Sequence, residues 1–162
     1  MKNIKFSRLF AAMMFVAVLS FAGCKQQPEE KHYAIEGTWV CADGQKFVIT
    51  QSELKNYWGE SDGYAGDNLV VVEKSETAGT IFIKYTKAFC YAHSDFDNYI
   101  YTYDEDAPEV GKWYAVSYQE LSGEKVKISG SSKPASETLE QAKSIHTNDN
   151  GAFGQYDDFT RQ

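Results

Sequence analysis

The segment Cys90-Tyr91-Ala92-His93-Ser94-Asp95 gathers a thiol, an imidazole and a carboxylate within six residues. These are the groups of nucleophilic catalysis: a thiolate attacks, an imidazole moves the proton and a carboxylate orients the ring. Neighbours along one strand or loop do not meet in that geometry, because a triad is assembled from separate elements. Neither a Gly-x-Ser-x-Gly elbow nor a cysteine-protease signature accompanies them. His93, Asp95 and Asp97, with Asp104 or Asp106, offer metal donors but lack the set spacing of zinc sites such as H-E-x-x-H. The stretch His146 to Gly151 can be laid on the calcium-loop template, using Asn148, Asn150 and Asp157. A helix stop built from Asn and Gly accounts for it more simply. The reading is therefore a non-enzyme, with no catalytic residue, metal or cofactor.

The remaining chemistry is aromatic. Tyr99, Tyr101 and Tyr103 alternate along one segment, and Trp113, Tyr114 and Tyr118 follow in the next. Alternation puts the first three on one face of a strand. A phenol combines apolar area with a hydroxyl, so such a face can line a cavity for a small apolar ligand or form a stripe that meets a protein. It can also pack across strands with its hydroxyls at the rim. Tyr99, Tyr101, Tyr103, Trp113 and Tyr114 are the candidate ligand contacts.

Cys24 carries a different chemistry. Lys2, Lys5 and Arg8 precede an apolar run, Leu9–Leu19, and small residues, Ala22 and Gly23, close it. That order is a secretory signal, and the run is too short for a transmembrane helix of about 20 residues. Ala22-Gly23-Cys24 resembles the lipobox of bacterial lipoproteins. The resemblance implies that Cys24 receives a diacylglycerol and acyl chains such as palmitate, becomes the mature N-terminus and holds the protein in a membrane. Lys25 stands where an Asp in that family signals inner-membrane retention, so the resemblance implies the outer membrane or cell surface.

Of 162 residues, removal of the first 23 leaves 139, the size of one domain. Removing three positive charges takes the net charge from −7 to about −10, and such a surface disfavours nucleic acid and anionic lipid. Cys41 and Cys90 remain. In an oxidising compartment two thiols tend to pair, closing a loop of about 50 residues and contributing roughly 2–4 kcal/mol. Pairing requires Cα atoms within about 7 Å.

Residues 24–34 contain Pro28, lack an apolar period and read as a lipidated terminus and flexible tether. From Ile35 onward, short runs rich in Val, Ile, Tyr, Phe and Trp recur between Gly, Asp, Asn and Ser. Strands are expected at 37–41, 46–50, 54–58, 68–73, 80–86, 98–103, 112–119 and 125–129. Asp43-Gly44 forms a turn, and residues 59–67, with three glycines, read as a loop. In 80–86, Ile81, Ile83 and Tyr85 share one side. The period then switches to helical over 136–146, with Ser136 as N-cap, and the chain returns toward the sheet at 151–161.

Eight short strands hide their edges by closing. The fold class is all-β: an up-and-down antiparallel barrel of about eight strands spanning 35–162, with one C-terminal helix. Gly37-Thr38-Trp39 resembles the Gly-x-Trp motif of lipocalins, a calycin-type family. The strand–helix–strand order is also similar. That resemblance implies a Trp plugging one barrel end and a cavity or platform that binds a small apolar ligand or a host or envelope protein. The expectation is a monomeric, lipid-anchored binding module; the alternative is an interaction lipoprotein with a filled barrel.

Overall fold

The computed structural model describes residues 31–94 and 98–162, and the side chains of these other than 91–94 and 98–101. The signal segment 1–23 and Cys24 lie outside the described residues. Among the described residues, nine strands and one helix follow in order: β1 (Gly37–Cys41), β2 (Gln45–Ile49), β3 (Leu54–Trp58), β4 (Ser61–Ser75), β5 (Ala78–Ser94), β6 (Asn98–Asp104), β7 (Trp113–Gln119), β8 (Lys125–Gly130), α1 (Leu139–Ile145) and β9 (Asp157–Arg161).

All pairings are antiparallel. Around the wall the order is β1, β2, β3, β4, β5, β7, β8, β9 and back to β1. The β1–β9 seam pairs Trp39 with Arg161 and Cys41 with Phe159. The expected eight-stranded closed barrel with one helix is thus formed. β5 is long because its first half builds the wall, while Ala88–Ser94 leaves β4 and β7 and pairs with β6.

Alternation assigns the faces. Ile81 and Ile83 join the interior with Trp39, Phe47, Val116 and Phe159. Phe82 and Ala115 point outward and are covered by Ala142 of α1 and by Phe153. A seven-residue helix is too short to stand alone. Its apolar contact holds it, and Thr138 caps it in a box with Gln141. Ser136, expected as the cap, instead exchanges backbone hydrogen bonds with Trp113 at 2.7 and 2.8 Å. Asn150 Nδ2 donates to the Ser144 carbonyl at 2.8 Å and closes the helix end.

Up-and-down topology separates two poles. The turns at 50–53, 76–77 and 120–124 share one pole with the described start of the chain. There Trp39, fully buried, donates from Nε1 to the Ile35 carbonyl at 2.8 Å, and Arg161 lies 4.3 Å over its ring. Arg161 also donates to the carbonyls of Glu36 (2.7 Å) and Ala34 (3.0 Å). Tyr33 packs against the core and Lys31 meets Glu73, so residues 31–34, read as tether, are held on the barrel. The opposite pole, the mouth, carries 42–44, 59–60, 105–112 and 131–136.

Two further expectations change. Residues 61–67 are strand rather than loop. Their glycines mark close approach, not a turn: a Cβ on Gly66 would lie 2.8 Å from the Ile83 Cβ and from the Lys84 carbonyl oxygen. Cys41 and Cys90 are both free thiols. Cys41 sits on β1 between β2 and β9, while Cys90 sits on the outer half of β5, its sulfur 3.2 Å from the Thr102 hydroxyl. The two strands are not neighbours, so the expected disulfide is not formed.

Candidate functional site: the aromatic mouth

The inward alternation of β5 continues from Ile81 and Ile83 to Tyr85, which reaches the mouth. Tyr114 of β7 stacks on it at 5.0 Å between ring centres. Tyr64 of β4 meets Tyr85 edge-on at 5.9 Å and Tyr114 at 5.5 Å. Below this layer Phe47 and Phe159 pack at 5.3 Å and fill the barrel. Above it, Tyr103 of β6 lies 6.5 Å from Tyr64 and 5.8 Å from Phe89.

A groove of about 560 Å³ opens on this layer. Tyr85, Tyr114 and Phe89 give its aromatic wall, and Pro108, Pro134 and Ala135 come from the loops above. Ala88 and the Cys90 thiol complete the β5 side, and Glu109 and Lys133 stand at opposite loops. The size falls within the range of small-molecule pockets, about 300–1,000 Å³.

The phenols are held neutral. Burial pushes the Tyr64 and Tyr85 hydroxyls far above the usual tyrosine range, and the charges of neighbouring tyrosines act in the same direction. Burial raises Tyr114 as well, and its hydroxyl donates to the Ser131 carbonyl at 2.7 Å. These groups therefore offer apolar area and hydrogen-bonding hydroxyls rather than acid–base chemistry near neutral pH.

Behind Tyr114, His146 meets its ring edge-on at 5.8 Å. It is 2% exposed, shares a 2.7 Å hydrogen bond between Nδ1 and the Ser131 hydroxyl, and leaves Nε2 without a partner. Burial lowers its pKa. The unfolded chain therefore takes up a proton near pH 6.5, while the folded chain resists. Stability is fully present above that range and falls as pH drops through it, by up to about 1.4 kcal/mol per pH unit. Urea unfolding of the wild type and His146→Gln should show the wild-type advantage shrinking between about pH 7 and about pH 5. A constant difference would exclude this origin.

The sequence-predicted contacts divide. Tyr114 lines the groove, and Tyr103 packs beside it. Trp113, the neighbour of Tyr114, necessarily faces the other way and packs in the outer cluster near Leu139 and Phe82. It is not part of the mouth. Tyr99 and Tyr101 lie on β6, opposite His93 and Tyr91 in register, and their side chains fall outside those described. His93 falls there too, and Asp95 and Asp97 are outside the described residues. Sequence reading missed Tyr64 and Phe89, and it placed Tyr85 on the correct face without assigning it a role. The signal for Tyr85 was its period with Ile81 and Ile83; for Tyr64 the surrounding glycines concealed a strand.

Comparison of the chain with protein-family models, curated proteins and solved structures finds no match.

Proposed function

We propose that the protein is a lipid-anchored envelope lipoprotein whose barrel acts as a non-catalytic binding module for a small apolar or amphipathic molecule. The mouth groove carries this reading. It is concave, of ligand size, walled by Tyr85, Tyr114 and Phe89, and offers few polar groups. The anchor rests on Ala22-Gly23-Cys24.

The packed interior around Phe47, Phe159 and Val116 favours a second reading, an interaction lipoprotein without a ligand. One experiment separates them. Protein from its own cells, examined by native mass spectrometry, is expected to retain a small molecule, and an apolar fluorescent dye should compete with it. Ala135→Trp, which fills the groove, should abolish dye binding while leaving the circular dichroism unchanged. Dye binding equal in both proteins, with no retained molecule, would favour the second reading. The mature mass should also include a diacylglycerol on Cys24; an unmodified Cys24 ends the anchor part of the proposal.

A further inference from the structure

A second groove, of about 490 Å³, lies on the other side of the mouth, between the β3–β4 hairpin and β5. Its chemistry differs from that of the first. Asn56, Tyr57, Asp62, Gly63, Thr86 and Lys87 are among its walls. Asn56 is 2% exposed. Its Nδ2 donates to the Lys46 carbonyl at 3.3 Å, but its Oδ1 is buried without a hydrogen-bond partner. Such an acceptor is unfavourable unless a donor reaches it. Opposite it stands Gly63, where a Cβ would lie 2.5 Å from that oxygen. Glycine puts no side chain against that oxygen.

The charges around the groove cancel. Lys55 and Lys87 face Asp62 and Glu105, and Lys87 is already paired to Asp62 at 3.0 Å and Lys55 to Glu53 at 2.9 Å. A cation meets the lysines and an anion meets the carboxylates, so a neutral ligand fits best. The walls supply acceptors, donors and the Tyr57 ring, whose face also holds the Lys46 ammonium at 4.3 Å. Many hydroxyls on a small neutral frame match that set.

We propose that this groove binds a neutral polyhydroxylated ligand, a mono- or oligosaccharide, one of whose hydroxyls donates to Asn56 Oδ1. The site shares no lining residue with the apolar groove. A polar site of this kind rejects analogues that lack the donor, because its buried acceptor is then left unpaired.

The test is saturation-transfer and amide-shift titration of the folded protein with glucose, galactose, mannose, N-acetylglucosamine and their disaccharides. At least one is expected to bind, shifting the amides of Asn56, Gly63 and Thr86. Asn56→Leu should weaken that sugar by about tenfold or more. Thr86→Trp, at an exposed position on the groove wall, should abolish it without altering dye binding at the apolar groove. Should Asn56→Leu fail to fold, Thr86→Trp decides. The absence of binding by every sugar, or binding unchanged in Thr86→Trp, overturns the proposal.

Discussion

Replacing Trp39 with alanine should lower stability by about 3–5 kcal/mol, the range for truncating a buried aromatic side chain. For a domain whose total is typically about 5–15 kcal/mol, that is a large share. Three losses combine at this residue. A fully buried ring disappears from the interior end of β1. The Ile35 carbonyl loses its 2.8 Å donor. Arg161 loses the ring that it covers at 4.3 Å, and with it the support that aims its guanidinium at Glu36 and Ala34. Trp39→Phe keeps most of the packing and should cost less, about 1–3 kcal/mol, mainly by removing the donor. Arg161→Ala acts at an exposed position and should cost about 1 kcal/mol. Urea unfolding followed by far-ultraviolet circular dichroism gives all three values. A Trp39→Ala loss below about 1 kcal/mol would contradict the role of this end as a clasp.

The second large effect is alkaline. Burial raises five tyrosines in the described residues: Tyr64, Tyr85, Tyr103, Tyr114 and Tyr118, the last pushed up to about 12. A raised acid stays protonated in the fold while its unfolded counterpart ionises near pH 10. Each contribution is fully present below that value and is lost as pH climbs toward the folded pKa. One group removes at most about 1.4 kcal/mol per pH unit, so five together remove no more than about 7 per unit, and less where a folded pKa lies close to the unfolded one. Against a total of about 5–15 kcal/mol, the barrel should unfold cooperatively within about two units above pH 10. Tyrosinate absorbance from this cluster should appear together with the loss of strand dichroism. Tyr85→Phe combined with Tyr114→Phe should move the onset upward. A gradual tyrosine titration with the strand signal intact would show that the cluster is open to solvent.

Much of this architecture was legible from period and punctuation. Val, Ile and aromatic runs marked the wall strands, and Asp43-Gly44 marked a turn that the backbone makes with Gly44 at φ +91°. The helix was visible from its spacing, yet two hydroxyl residues competed for its cap. Gln141, three positions after Thr138, decided between them by completing the box. Gly63 and Gly66 misled because a glycine looks the same in a sequence whether it turns the chain or admits a neighbour. The Ile83 and Asn56 contacts that explain them are tertiary. Cysteine pairing depends on distance between strands, which composition does not encode. The mouth was only half legible for the same reason. Tyr114 was named, but its companions Tyr64, Tyr85 and Phe89 come from distant strands and meet only once the ring has closed.

That closure has a consequence in time. The first and last wall strands make the seam, Trp39 against Arg161 and Cys41 against Phe159. Synthesis, N-terminus first, leaves an open sheet until the final strand arrives. Its partners are separated by about the whole domain, so the search is slow and belongs to the millisecond-to-second class of β-topologies. Until β9 docks, β1 and β8 each present an unpaired edge. In that interval the sheet carries two exposed edges, and the docking of β9 removes both.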